Sequence, residues 1–244
     1  DTLCETAALT FTISALLFGG ALKQNASSET MGDGATRTTR RNDFRELIRY
    51  LSQNSSLLVV FLIAAILNLA LVGLTIGAPV IVAKHLGMQS SFVGIIEVAM
   101  GLGGLVGSGL VGIWPHRFSF KGICRYVAMI CLGVVPIIVT LLSGPNEFAF
   151  VALAAGSAWV MAWASVTSVE VVSFVQRSAP KELCGKVLAL VYMALSCATP
   201  IGQLVYGLAY DRWTPAIVFA GMLAVLTLMT ALFYRLKSRL WRMS

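Results

Sequence analysis

Seven apolar stretches, at 2–22, 56–83, 91–114, 122–143, 148–175, 187–210 and 215–234, divide the chain. Each runs for about 20 residues or more, enough to cross a hydrocarbon core of ~30 Å. Inside such a core no water is present to pair with backbone N–H and C=O groups, so a crossing segment must be a helix or a strand of a closed barrel. Barrel strands are short and alternate apolar with polar residues. These runs are long and continuous, so the pattern predicts an all-α polytopic membrane protein.

Five of the six connections are tight. The first, 23–55, is long, polar and rich in Ser, Thr, Gly and Arg, and reads as a linker between two membrane units. Within it Phe44, Leu47, Ile48 and Leu51 recur at helical spacing, and Asp43 followed by Glu46 resembles a capping box. A short amphipathic helix is expected over 43–53, either lying on the membrane surface or serving as a plain linker helix. The predicted organisation is one transmembrane helix (1–22), the linker (23–55) and a six-helix domain (56–244). The chain opens at Asp1 without a methionine and enters an apolar stretch at once, so it is read as a piece of a longer protein.

Charge sets the expected orientation. Charged residues make up only 12% of the chain, about half the ~25% of a soluble domain. Of the 18 Lys and Arg residues all but Lys84 and Arg212 fall between Lys23 and Arg49, Arg117 and Arg125, Arg177 and Lys186, or Arg235 and Arg242. These are alternate connections and the tail, so they mark the cytoplasmic side. The basic residues form no continuous face, so the expected partner is the bilayer and not nucleic acid. The five cysteines are odd in number and form no Cys-x-x-Cys pair. Free thiols are expected, with no metal and no cofactor. His85 and His116 belong to opposite membrane faces, and no Ser-His or paired-acid constellation occurs, so no enzyme is expected.

Polar side chains are costly in lipid and useful beside a water-filled or substrate-filled cavity. At about 100° per residue, Tyr192, Ser196, Thr199, Gln203, Tyr206 and Tyr210 fall in one stripe. Trp159, Trp163, Thr167 and Glu170 share a face, as do Glu97, Gly101, Gly104 and Ser108, and Asn68 with Thr75. The spans 122–143 and 215–234 carry only Cys131, Thr140, Thr227 and Thr230 inside them. Those two helices are expected at the periphery, with the other four around a polar centre. Asn68, Trp159, Trp163, Tyr192, Ser196, Thr199 and Gln203 are the candidate substrate-binding residues. The alternative is structural: Ser and Thr can bond to their own helix, the tryptophans can fill the core, and the glycines from Gly101 to Gly112 can mark close helix packing. Glu97 and Glu170 are the candidate proton-coupling residues, because an ionised carboxylate costs ~2.5–3.5 kcal/mol at mid-helix on insertion scales. Their alternative is an interfacial carboxylate paired with a base, for Glu170 with Arg177 or Lys181. Pro79, Pro136 and Pro200, with Gly73 and Gly77, are expected to let helices bend.

The segment from Gln176 through Pro180, Glu182, Gly185 and Lys186 to Val187, followed by Pro200-Ile201-Gly202, resembles the Q-x-x-x-P-x-E-x-x-G-[RK]-V loop and P-x-G helix of the major facilitator superfamily. The subgroup it is most similar to contains macrolide efflux proteins and a bacterial enterobactin exporter. The resemblance covers about residues 43–236. It implies twelve helices in two halves, each half built from inverted three-helix repeats, of which this chain holds helix six and the C-terminal half. It also implies a multi-pass protein of the bacterial cytoplasmic membrane that exports small amphipathic molecules by proton antiport. Its partner would be the missing N-terminal half or a second copy of the fragment. Arg117 and Lys121 match part of the family's G-x-x-x-D-R-x-G-R-R loop, but the acid is missing. An importer of the same fold and a non-transporting, partner-binding subunit are the other readings of the sequence.

Overall fold

The computed structural model describes residues 55–144, 147–178 and 181–240. The expected first span and the linker helix at 43–53 lie outside the described residues. The chain divides into two units after Tyr50, and the described residues all belong to the second. That unit is built of α1 (Ser55–Val80, continued by a π turn over Ile81–His85), α2 (Ser91–Ile113), α3 (Ile123–Leu142), α4 (Glu147–Ser178), α5 (Lys181–Arg212) and α6 (Pro215–Leu240). All six are long and apolar enough to cross a membrane.

Local chemistry sets the ends. Gly87, after the π turn, and Gly144, after α3, hold φ of +62° and +93°, a left-handed conformation that glycine adopts without a Cβ penalty. Pro215 opens α6, where its missing N–H has no helical partner to lose. Two 3₁₀ turns, Pro115–Arg117 and Phe120–Gly122, join α2 to α3. The Tyr126 hydroxyl pins this connection by accepting the Ser119 N–H at 2.9 Å and donating to the Ser119 carbonyl at 3.2 Å.

The helices α4 and α5 outrun their sequence forecast. Each has 32 residues, about 48 Å at 1.5 Å per residue, well beyond the ~30 Å hydrocarbon core. The segment 176–186, expected as a loop, is therefore mostly helix projecting at the basic end of the bundle. Gln176 lies in the last turn of α4, while Gly185 and Lys186 sit in the first turns of α5.

Packing follows a simple exchange. The helices pair as α1 with α5 and α2 with α4; α3 lies on α4, α6 on α1, and α3 meets α6. Exchanging α1 for α4, α2 for α5 and α3 for α6 maps this set of contacts onto itself, as two three-helix repeats require. The helices α1 and α4 form the middle, and the core is made where they meet α2, α3 and α6, around Leu74, Ile96, Ile130, Ile137, Leu153 and Phe219. In lipid this core is held by packing and not by exclusion of water.

Close approach is concentrated at α2 and α4. A Cβ built on Gly103 would collide with the backbone carbonyl of Ala158, and one on Gly107 with that of Ala162. The two helices thus meet backbone to backbone through small residues four apart. This resolves the glycine-rich stretch. Gly103 and Gly107 serve packing, and Gly104 approaches the Ser165 hydroxyl, whereas Gly101, Gly109 and Gly112 face open space.

Candidate substrate cleft

A cleft of about 90 Å³ lies between α1, α4 and α5. Ala64, Leu67, Asn68 and Leu71 line it from α1. Ala164, Thr167, Ser168, Val171 and Val172 line it from α4, and Val191, Tyr192 and Leu195 from α5. No lining residue is ionisable apart from the Tyr192 phenol. The helices α3 and α6 stay away from it, as expected of the two least polar spans. Their Thr140, Thr227 and Thr230 hydroxyls donate to carbonyls of their own helices. The expectation of four helices around a polar centre is corrected in one respect: α2 does not line the cleft. Its Gly103 and Gly107 draw it against the far side of α4, and its Glu97 stripe faces away.

Asn68 organises the cleft. Its Nδ2 donates to the Leu195 carbonyl at 3.1 Å and to Thr199 Oγ1 at 3.2 Å, both on α5. Thr199 Oγ1 itself donates to the Leu195 carbonyl at 3.1 Å, so toward Asn68 it acts as an acceptor. A carbonyl can only accept, which fixes the amide orientation: the NH₂ points at α5 and both its hydrogens are committed. The tie sits beside Pro200, whose ring has no N–H to offer the preceding turn. It therefore secures α5 to α1 where α5's own ladder is interrupted.

The remaining α5 stripe splits along its length. Tyr192 is 54% exposed and lines the cleft. Ser196 and Gln203 are exposed on the same stripe and do not line it. Toward the opposite end the stripe turns into packing. The Tyr206 ring lies against Gly73, Tyr210 lies against Gly77, and the Tyr210 hydroxyl donates to the Gly73 carbonyl at 2.9 Å. Gly73 and Gly77, read in the sequence as bending points, make room for two tyrosines.

The tryptophans lie elsewhere. Trp159 Nε1 donates to the Met129 carbonyl of α3 at 2.8 Å, and Trp163 stacks on Tyr126 of α3 at 6.0 Å. Both belong to the α3–α4 seam. The cleft-lining side of α4 is a neighbouring one, Ala164, Thr167, Ser168 and Val171, centred about 100° round the helix from Trp163. Ser168 escaped the sequence reading because a lone serine among alanines and valines carries little signal. Its spacing from Ala164 and Val171 is what marks it. Ser157, two turns away on the same side, is fully buried, and its hydroxyl has no partner among the described residues.

The two carboxylates differ sharply. Glu97 is exposed on α2. Glu170 is only 3% exposed, and its Oε2 is buried without a hydrogen-bond partner among the described residues. It shares a helical stripe with Trp163 and Phe174, and Phe174 stacks on Phe120 at 4.1 Å. Glu170 thus sits on a face lined by aromatic stacking against α3 and the 3₁₀ turn, outside the cleft. Arg177, considered as its partner, turns its Nε to the Ser173 carbonyl at 3.1 Å.

Of the motif positions, Arg117, Gln176, Gly185 and Lys186 are exposed at the basic end. The Lys121 side chain and Pro180 lie outside what is described. At the opposite end Lys84 Nζ meets Asp211 Oδ1 at 3.6 Å, joining the π turn of α1 to the end of α5. Cys131 and Cys184 are free thiols. Among the described residues no three or more His, Cys, Asp or Glu side chains come together to hold a metal ion.

The model of the transmembrane secretion effector family, a branch of the major facilitator superfamily, matches residues 6–244. The chain belongs to this family. It is therefore a multi-pass membrane transporter of the major facilitator type, and its six described helices are consistent with one half of that fold. No curated protein and no solved structure matches the chain significantly.

Proposed function

We propose that this chain is the C-terminal half of a secondary transporter that exports small amphipathic molecules in exchange for protons moving down their gradient. In this reading the half rocks against an N-terminal half around the α1–α4–α5 cleft. Its basic end, linker and tail face the cytoplasm of a bacterial cell, as alternate basic connections imply. The observation that carries the reading is the cleft itself: an apolar, partly polar hollow beside Asn68, inside a bundle of transporter-family sequence. Trp159 and Trp163 support the seam behind it. Tyr192, Ser196, Thr199 and Gln203 continue its polar edge along α5.

Glu170 is the better placed of the two carboxylates for proton coupling. It is buried, and one oxygen has no donor. A buried carboxylate within a transporter helix marks a candidate proton site. Glu97, exposed on α2, would take part only against the other half.

Everted vesicles carrying the full-length transporter test this. An imposed inward-acid gradient should drive accumulation of an amphipathic dye, and dissipating the gradient should stop it. Movement in the reverse direction would make the protein an importer. No flux at all would leave the partner-binding subunit.

A further inference from the structure

Resting on the reading of the cleft as the substrate site, we infer that it is a neutral subsite: it takes an uncharged group that donates a hydrogen bond, and it excludes anions. Three observations lead there. First, no formal charge lines the cleft, and a carboxylate or phosphate brought into an apolar cavity without a counter-charge loses its hydration for nothing in return. Second, the polarity of the innermost polar group is fixed. Both Asn68 hydrogens are spent on α5, which leaves the amide carbonyl oxygen as the group Asn68 can offer. Thr167 is fully buried and gives its hydroxyl hydrogen to the Trp163 carbonyl at 2.7 Å, so it offers a ligand nothing, while the Ser168 and Tyr192 hydroxyls at the mouth can turn either way. A ligand hydroxyl or amide N–H is complementary to the Asn68 oxygen, and an oxyanion is not. Third, the size is decisive. About 90 Å³ is far below the ~300–1,000 Å³ that encloses a drug-sized molecule. The cleft therefore holds one small branched or aromatic end of the substrate and its donor, and the rest of the molecule lies outside it.

The test compares three ligands with one phenylbutyl tail: 4-phenylbutanamide, 4-phenylbutanoate and 4-phenylbutan-1-ol, at pH 8. Binding to the full-length protein in nanodiscs is measured by titration calorimetry without a gradient. The amide and the alcohol should bind at least about tenfold tighter than the carboxylate, the discrimination expected when a buried acceptor is left facing an anion. Asn68→Leu should weaken the amide and the alcohol and so narrow that preference, while the carboxylate stays excluded by the missing counter-charge. Ser168→Leu adds bulk at an exposed position on the cleft wall, so it should narrow the cleft and weaken the amide and alcohol without loss of fold. Carboxylate binding equal to the amide's would overturn the inference, and so would an amide unaffected by Ser168→Leu. Binding is read without transport. Absent flux with this binding pattern intact would therefore count against the export reading alone.

Discussion

Tyr210 and Gly73 are joined by a buried hydrogen bond across the α1–α5 seam, 137 residues apart in the chain. The phenol reaches a helix carbonyl because Gly77, one turn further along α1, has no side chain to stand in its way. Tyr206 lies against Gly73 in the same manner. At the other end of this seam Asn68 bonds α5 near Pro200. The wall of the cleft formed by α1 and α5 is thus fastened on both sides of the proline.

Tyr210→Phe should lower stability by roughly 0.5–1.5 kcal/mol, the usual net value of one hydrogen bond. Gly77→Val should cost more, because it displaces a buried aromatic ring and not merely a proton donor. Unfolding in mixed micelles, followed by circular dichroism, ranks the two. Equal losses would mean that the ring, and not the glycine, is free to move.

The glycines of α2 give a sharper contrast. Gly103→Ala and Gly107→Ala place a methyl group against the backbone carbonyls of Ala158 and Ala162, which can yield only if α2 and α4 separate. Overpacking of this kind costs ~1–3 kcal/mol or more. Gly101→Ala and Gly112→Ala point into open space and should be neutral or gain up to about 1 kcal/mol from better helix propensity. Four single substitutions in one helix, compared by thermal unfolding in detergent, read out its packed face directly.

Much of this was legible from the chain. Hydropathy located six spans because lipid demands length and apolarity together, and the sparse polarity of α3 and α6 set them apart from the cleft. What one helix alone does not reveal is which of its faces meets which neighbour. Trp159 and Trp163 share a face with Thr167, and the sequence cannot say that α3 covers the tryptophans while the cleft opens beside Thr167. The same limit hid the division of the α5 stripe, since Tyr192 and Tyr210 are equivalent by period and differ only in whether a glycine of α1 lies opposite.

Glu170 separates a coupling role from a structural one. A carboxylate that anchored a buried ion pair would destabilise the protein by ~3–5 kcal/mol on removal. With Oε2 unpartnered, Glu170→Gln should leave stability unchanged or raised. If Glu170 carries the proton, the same variant abolishes the dependence of flux on the gradient while facilitated, downhill movement continues. Flux that still follows the gradient in Glu170→Gln removes the role proposed for it.

The Lys84–Asp211 pair should matter little. Its side chains are 69% and 70% exposed, so water and salt screen the attraction, and such pairs contribute ~0–1 kcal/mol. Lys84→Met should unfold within that margin of the parent protein. A larger loss would show that the π turn at the end of α1 depends on this contact.

Asn68 and Thr199 should behave as one unit. Thr199→Val removes an acceptor from one Asn68 hydrogen, and Asn68→Leu removes both donors from α5. Side-chain hydrogen bonds between transmembrane helices average about 0.6 kcal/mol and reach ~1.7 kcal/mol. Each single change should fall in that range, and the double variant should lose less than their sum, because the second substitution removes a bond the first has already broken. Denaturant unfolding of the four proteins completes the cycle. Strict additivity would show that Asn68 reaches α5 through the Leu195 carbonyl alone, and that Thr199 leaves the amide's orientation to that single bond.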